Sequence, residues 1–229
     1  MNAQLLVLAK APVPGRVKTR LCPPCTPEEA AMLAGAALQD TLGVVRATPA
    51  RRRVLAIDAP AEHLPVNGFD VLPQRGDGLG ERIAAAFADA AVPGVATVLI
   101  GMDTPQVRPE RLAAVGALLT DADAVLGPAC DGGWWTLGLR DARHAAVLVD
   151  VAMSRPDTGS ATRAALRAAG LRVAEAPTER DVDTAADAAA VVALAPRSEF
   201  AQAWKRVRAR HDRTSAAWSI GVDSPVGVA

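Results

Sequence analysis

Short apolar runs alternate with longer helical patterns along most of this chain of 229 residues. Gln4–Ala9 and Val95–Ile100 are dominated by aliphatic residues, as expected of strands buried on both faces, and each leads into a loop containing Gly and Pro. The same pattern predicts seven strands, at Gln4–Ala9, Arg53–Asp58, Phe69–Leu72, Val95–Ile100, Ala124–Leu126, Trp134–Leu139 and Leu171–Ala174.

Helices are predicted between these strands from their start and stop signals. Thr26–Glu29 combines an N-cap Thr, a Pro at the first helical position and a Glu at the third, a capping box that begins an Ala- and Leu-rich helix ending at about Ala47. Thr184 caps a later helix that Pro196 ends. The other predicted helices are Glu81–Ala90, Pro109–Leu119, Ala161–Ala169 and Ser198–Arg210.

Alternating strands and helices predict an α/β fold with a mostly parallel mixed sheet and helices on both faces. No change of composition and no long linker divides the chain, so we expect one domain over residues 1–210. Residues 214–229 show no convincing periodicity, and residues 211–229 are therefore interpreted as a C-terminal extension.

Composition narrows the class of protein. The chain has 25 Lys and Arg against 25 Asp and Glu, and this balance argues against a dedicated binder of duplex DNA or anionic membranes. A hydrophobic fraction of 50% with 3% aromatic residues and no Tyr predicts a largely aliphatic core. The odd count of 3 cysteines suits a reducing compartment, and no signal peptide or membrane span is recognised, so we expect a cytoplasmic protein.

The loop Lys10–Arg20 is rich in positive charge. Two of the chain's three lysines fall in it, and no acidic residue occurs before Glu28. Such an uncompensated cluster is suited to holding a di- or triphosphate, although a merely solvated basic loop is the alternative. The four cations concerned are Lys10, Arg16, Lys18 and Arg20.

Two acidic positions are candidates for a metal site. Asp103 follows the strand Val95–Ile100, where an acid beside a phosphate loop suits Mg²⁺ or Mn²⁺; the alternative is an Asp that caps the turn before Pro105. Asp181 and Asp183 alternate along an extended segment and therefore face the same side. Asp183 could supply a second carboxylate to the metal, or serve the following helix N-terminus.

Asp131 begins the segment Asp131–Trp135, which continues with two glycines and two tryptophans. Paired glycines allow the backbone to approach a ligand, and a Trp beside them offers a flat apolar wall for a sugar or acceptor. A tight hairpin with core tryptophans is the alternative interpretation.

In combination, these motifs resemble the bacterial DUF2064 proteins, a branch of the glycosyltransferase-A (GT-A) superfamily that includes rSAM/selenodomain-associated transferases. The layout is also similar to that of 2-phospholactate guanylyltransferases. The resemblance covers about residues 4–195 and rests on Leu8–Leu21, Gly76–Arg82, Gly101-x-Asp103-x-Pro105, Leu126–Pro128 with Asp131–Gly133, and Asp181–Thr184.

The resemblance implies a single-domain, Rossmann-like GT-A fold that binds a nucleotide with Mg²⁺ or Mn²⁺. It implies metal ligation by Asp103 and Asp183 and catalytic roles for Lys18 and Arg20, and we add Asp131 as a candidate general base. The implied nucleotide-binding residues are Ala9, Lys10, Gly15, Lys18, Arg20, Gln74, Gly80 and Asp103.

The chain departs from the family pattern in two places. Met102 precedes Asp103, so there is no Asp-x-Asp pair of the kind that many sugar transferases use. Trp134 and Trp135 stand where relatives commonly carry Tyr, which bears on acceptor recognition.

Three functional hypotheses follow. The favoured one is a metal-dependent transferase with a nucleotide-activated donor, namely a glycosyltransferase that uses a nucleoside-diphosphate sugar. The alternatives are a nucleotidyltransferase, which releases pyrophosphate from a nucleoside triphosphate, and a non-catalytic nucleotide-binding protein. We expect a small-molecule acceptor, allow for a homodimer, and expect neither nucleic acid nor membrane as a partner.

Overall fold

The computed structural model describes residues 2–59 and 66–220, with the side chains of the last helix described as far as Asp212. Seven strands form one sheet in the order β3-β2-β1-β4-β6-β5-β7. Their bounds are β1 Ala3–Ala9, β2 Arg53–Ile57, β3 Asp70–Pro73, β4 Ala96–Gly101, β5 Ala124–Pro128, β6 Trp134–Leu139 and β7 Val173–Glu175. All neighbouring pairs are parallel except those that β6 makes with β4 and β5.

Six α-helices connect or follow the strands, and two stretches of 3-10 helix accompany them. The α-helices are α1 Pro27–Ala47, α2 Leu79–Ala90, α3 Pro109–Leu118, α4 Thr158–Ala168, α5 Ala185–Leu194 and α6 Glu199–Ile220, and the 3-10 stretches are Thr19–Leu21 and Ala142–Asp150. Helices on both faces of a mixed, mostly parallel sheet confirm the predicted α/β fold. Within the described ranges, no helix combines the length and the apolar character needed to cross a membrane.

Alternate residues of β1 enter two different cores, as the two-residue period of a strand requires. Leu5 and Val7 pack on one face with α1 and α3, whereas Leu6 packs on the other with α2 and α4. All three side chains are fully buried. The near-continuous apolar sequence of β1 therefore reflects helices on both sides of the sheet.

A third cluster lies outside the sheet, where α5 and α6 pack on the outer side of α1. Phe200 and Val207 of α6 contact this cluster together with Leu33 of α1 and Val191 of α5. The Asp40 carboxylate of α1 accepts hydrogen bonds of 2.9 Å from the first two backbone N–H groups of α6. This outer layer fixes where the segment before α5 runs, and that segment carries Asp181 and Asp183.

Three local predictions differ from the structure. The helix predicted at Ala161 begins at Thr158, and α6 continues to Ile220, so residues 214–220 are helical although they were predicted to lack periodicity. Ala142–Asp150 was not predicted as helical. Its buried residues Ala142, Ala145 and Leu148 recur every third position, the period of a 3-10 helix and not of an α-helix. Residues 221–229 lie outside the described residues.

The predicted capping box at the start of α1 is present and is tied to α6. Glu29 accepts a 3.0 Å hydrogen bond from the Thr26 backbone N–H, and its carboxylate lies 3.2 Å from Arg210 and 2.9 Å from His211. Burial raises the pKa of Glu29, but the hydrogen bonds and the positive charge of α6 outweigh burial and lower it. The charged form is therefore favoured in the folded protein.

Replacing Glu29 with Gln should cost roughly 1 to 3 kcal/mol of unfolding free energy at neutral pH, since it removes hydrogen bonds to a charged group. Because folding depresses the pKa of Glu29, this difference between wild type and variant is fully present above the ordinary Glu value and shrinks as the pH falls below about 4.3. Urea unfolding across that pH range measures it. A difference that stayed constant with pH would contradict the proposed role of the charge.

Candidate functional site

A cleft of about 740 Å³ opens where β1 and β4 end. The two strands are parallel neighbours, and β1 lies between β2 and β4, so the connections leave it in opposite directions at this point. Open α/β sheets bind ligands at such a switch point. Eight of the ten predicted site residues line the cleft, namely Ala9, Lys10, Lys18, Arg20, Gln74, Asp103, Asp131 and Asp183.

The other two predicted site residues, Gly15 and Gly80, are not among the lining residues. A Cβ on Gly80 would lie 2.3 Å from the carbonyl oxygen of Leu148, so glycine is needed there for close packing of α2 against the Ala142–Asp150 segment. Gly15 lies in the basic loop with a φ of 75°, a conformation that glycine adopts without strain. Both glycines thus have structural reasons that do not require contact with a ligand.

The start of the basic loop is held by backbone contacts. The Lys10 N–H lies 3.3 Å from the Met102 sulfur, and the Ala11 N–H donates to Asp58 at 2.7 Å. Gln74 donates from its amide nitrogen to the carbonyl of Ala9 at 2.7 Å. These contacts keep the loop open beside the cleft with its N-terminal lysine exposed.

Two cations of the loop point to no protein partner. Lys10 and Arg16 are exposed, and no side-chain hydrogen bond or ion pair involves either of them among the residues that the structure describes. Arg20 is 67% exposed and pairs with Asp183 at 3.0 Å. The rim of the cleft therefore carries positive charge that the folded protein does not fully neutralise.

Lys18 is placed differently from the other cations of the loop. Its side chain is only 8% exposed, and its ammonium lies 2.6 Å from Asp103 and 3.5 Å from Asp183. It also donates to the backbone carbonyl of Val182. Burial lowers the pKa of Lys18, but the charge and hydrogen bond of Asp103, with further contributions from Asp183 and Asp181, outweigh burial and raise it.

Two segments distant in sequence meet beside this lysine. The Val182 N–H donates to the Asp103 carbonyl at 2.9 Å, which aligns the segment before α5 with the end of β4. The Cys130 N–H donates to the Glu179 carbonyl at 3.0 Å, which brings the loop after β5 to the same segment. Asp103, Asp131, Asp181 and Asp183 are gathered by these backbone contacts.

Asp131, Asp181 and Asp183 offer carboxylate oxygens that lie within 4.8 Å of one another. Burial raises the pKa of Asp181 to about 6, and the neighbouring charges of Asp131, Asp183 and Asp103 add to this effect. Repulsion among the carboxylates therefore remains even with Lys18 and Arg20 nearby. A cation brought among them would relieve it.

The two open interpretations of the aspartates can now be compared with the structure. Thr184 is the N-cap of α5 and forms a capping box with Asp187, so the carboxylate of Asp183 is not the cap and contacts Lys18 and Arg20 instead. The side chain of Asp103 is likewise engaged with Lys18.

The segment Asp131–Trp135 combines both interpretations given from its sequence. Trp135 is buried in the core and donates to the Pro177 carbonyl at 3.1 Å. Trp134 is half-buried, lines the cleft and donates to Thr162 at 3.2 Å. Asp131 accepts a 2.8 Å hydrogen bond from the Gly133 N–H, which orients its carboxylate.

Gly132 allows this wall of the cleft to close on the loop before α4. It has a φ of 89°, and a Cβ there would lie 1.9 Å from the Pro156 carbonyl oxygen. Its own carbonyl accepts a 2.8 Å hydrogen bond from Gly159. The backbones of the two loops are therefore in direct contact.

Gly132→Ala should destabilise the protein by about 1 to 3 kcal/mol more than Gly94→Ala, because only the first adds an overpacking clash. Gly94 is a matched control, with a φ of 73° and nothing within 4 Å of the added Cβ. Denaturant unfolding of both variants measures the difference. Equal losses would mean that backbone strain alone accounts for the cost at Gly132.

Comparison with known proteins follows this geometry. The family model for DUF2064, described as an uncharacterized protein conserved in bacteria, matches residues 41–155, half of the chain. The chain belongs to the DUF2064 family. Among curated proteins, none matches the sequence.

Solved structures share the fold of this DUF2064 protein. A candidate nucleotide-diphospho-sugar transferase from Desulfovibrio desulfuricans G20 is 28% identical and has a TM-score of 0.80, with 91% of this chain and 96% of that chain covered. Rv0371c from Mycobacterium tuberculosis H37Rv, in complex with manganese, is 20% identical with a TM-score of 0.53, over 83% and 98%. The 2-C-methyl-D-erythritol 4-phosphate cytidylyltransferase of Thermus thermophilus is 17% identical with a TM-score of 0.56, over 86% and 100%.

Sequence reasoning did not select Asp181 or the loop Met153–Pro156 as parts of the site, although both line the cleft. The alternation of Asp181 with Asp183 was a usable signal, because it places both on one side of an extended segment. The loop gave no comparable signal. It reaches the cleft only because Gly132 and Gly159 let two backbones touch.

Proposed function

We propose that this DUF2064 protein is a metal-dependent transferase whose donor is a nucleoside-diphosphate sugar. The observation that carries the proposal is the division of charge in one cleft, with unpartnered cations at Lys10 and Arg16 among the described residues and a group of four carboxylates around Lys18. A diphosphate with a divalent cation complements both parts. The likeness to the Desulfovibrio protein supports the choice of a sugar nucleotide.

The donor set suits the proposed metal. Mg²⁺ and Mn²⁺ prefer oxygen ligands, and the residues gathered here offer carboxylates. The Lys18 ammonium already lies between Asp103 and Asp183, so this pair accommodates a positive charge. We propose that Asp103 and Asp183 hold the metal with Asp181 beside them, and the manganese complex of Rv0371c is consistent with this. When bound, the ion would neutralise charge on the diphosphate leaving group.

The chain's own groups would do the rest. Lys10, Arg16 and Arg20 are exposed at the cleft and would bind phosphate oxygens, which positions the donor and stabilises charge that develops on the leaving group. Asp131, oriented by the Gly133 N–H, would accept the proton of the acceptor hydroxyl. Trp134 would offer its exposed face to the sugar or the acceptor.

A nucleotidyltransferase is the second candidate, and Met102 favours it. The Met102 side chain is buried and contacts the Lys10 N–H, so the position before Asp103 belongs to the core and supplies no second acid. In this reaction the same cleft would hold a nucleoside triphosphate while an acceptor oxygen attacks the α-phosphorus and pyrophosphate leaves.

The product distinguishes these reactions. Phosphorus NMR of the protein with Mn²⁺-free buffer containing Mg²⁺, a panel of sugar nucleotides and a panel of nucleoside triphosphates should show a nucleoside diphosphate formed from at least one sugar nucleotide. Pyrophosphate formed from a nucleoside triphosphate would instead support the second candidate. Binding without either product would support the non-catalytic hypothesis.

A further inference from the structure

We propose that Lys18 is an internal cation that occupies the Asp103–Asp183 pair until a divalent cation displaces it, and that the displaced ammonium then turns to the phosphates in the cleft. This proposal rests on the metal site of the proposed function. It assigns to Lys18 a role that the other cations of the loop do not share.

The contacts of Lys18 are those of a counterion held inside the protein. Its side chain is 8% exposed, whereas that of Arg20 in the same loop is 67% exposed. Its ammonium contacts oxygen atoms of Asp103, Asp183 and the Val182 backbone, and oxygen is also the ligand type that Mg²⁺ prefers. A second cation held by the same two carboxylates would be repelled strongly at this distance.

The backbone of Lys18 supports the same interpretation. Lys18 has a φ of 48° and a ψ of 36°, the left-handed region that non-glycine residues rarely adopt. Such a conformation persists only where surrounding contacts compensate for its cost, and the ion pairs of the side chain supply that compensation. Release of the side chain would leave the backbone free to relax, which favours a switch between two positions.

Charge balance explains why a divalent cation can win the exchange. Asp103, Asp131, Asp181 and Asp183 are four carboxylates, and Lys18 and Arg20 are the cations paired with them. One ammonium therefore leaves the group with excess negative charge. A divalent ion at the same place neutralises more of it, and Lys18, which lines the cleft, has open space to enter.

The first test is calorimetric titration of MnCl₂ alone into the full-length protein. Lys18→Gln should bind Mn²⁺ at least about fivefold more tightly than wild type, since the competing cation is gone. Arg20→Gln is the matched control, because it removes a positive charge from Asp183 on the exposed side, where solvent screens it, and its gain should stay below about twofold. Equal or weaker binding by Lys18→Gln, or an equal gain in both variants, would overturn the proposal.

The second test uses the wild-type protein and so does not depend on whether Lys18→Gln folds. Lys10, Lys18 and Lys205 are the chain's only lysines, so the side-chain carbon signals of a ¹³C-lysine sample can be assigned with two Lys→Arg variants, at positions 10 and 205. Adding MgCl₂ should shift the Lys18 signal and leave that of Lys205 unchanged. A Lys18 signal that does not move would overturn the exchange, whereas nucleotide binding measured separately would still decide the proposed function.

Discussion

Replacing Asp103 with Asn is expected to lower the rate of product formation by about 100- to 1,000-fold, the usual cost of removing one electrostatic stabiliser from a transition state. The variant keeps the shape of the side chain but loses the negative charge that, in our proposal, binds the metal. It also weakens the grip on Lys18, whose ammonium lies 2.6 Å from Asp103. Metal-dependent nucleotide binding should therefore be lost together with activity.

The control for Asp103→Asn is Asp141→Asn. Asp141 pairs with Arg143 at 2.6 Å on the surface and does not line the cleft. Its replacement should leave both nucleotide binding and turnover within about twofold of wild type, because exposed ion pairs contribute little. An Asp103→Asn protein that retained metal-dependent nucleotide binding while still folded would remove Asp103 from its proposed role.

Replacing Phe200 with Ala is expected to have the largest effect on stability, about 3 to 5 kcal/mol of unfolding free energy. Phe200 is 1% exposed and is among the largest fully buried side chains. It joins α6 to α1 and α5, so the cavity that it leaves would weaken the layer that positions Asp181 and Asp183. A loss of this size is a large part of the stability of an ordinary domain.

Arg208→Ala is the matched control on α6, because Arg208 is exposed on the same helix. Its replacement should change the unfolding free energy by no more than about 0.5 kcal/mol. Denaturant unfolding should give one transition for Phe200→Ala, shifted to lower denaturant. A separate early transition would mean that α5 and α6 unfold independently of the sheet, which contradicts a single cooperative domain.

The sequence predicted most of the fold because each local signal agrees with the final packing. The capping boxes at Thr26 and Thr184 are present, and the apolar runs became strands within one or two residues of their predicted bounds. The exceptions have local causes. Ala142–Asp150 has a three-residue period, and α6 continues beyond the last apolar residue that made its pattern recognisable.

The site was predictable to the extent that chemistry follows strand ends. Asp103 and the basic loop could be placed together because β1 and β4 end at the same edge of the sheet. The burial of Lys18 could not be predicted, because it depends on Val182 and Asp183, which are distant in sequence. The contribution of Asp181 likewise depends on the backbone pairing between Cys130 and Glu179.

The most direct test of the account is the melting temperature of the wild-type protein with nucleoside diphosphates, triphosphates and sugar nucleotides, each with Mn²⁺ and with EDTA. A nucleotide present at about 100 times its Kd stabilises the folded state by about 2.7 kcal/mol, which corresponds to about 5 to 10 °C for a protein of this size. We predict such a rise for at least one nucleotide with Mn²⁺ and its loss with EDTA. A melting temperature that no nucleotide raises under either condition would contradict the proposal that this cleft binds a nucleotide with a metal.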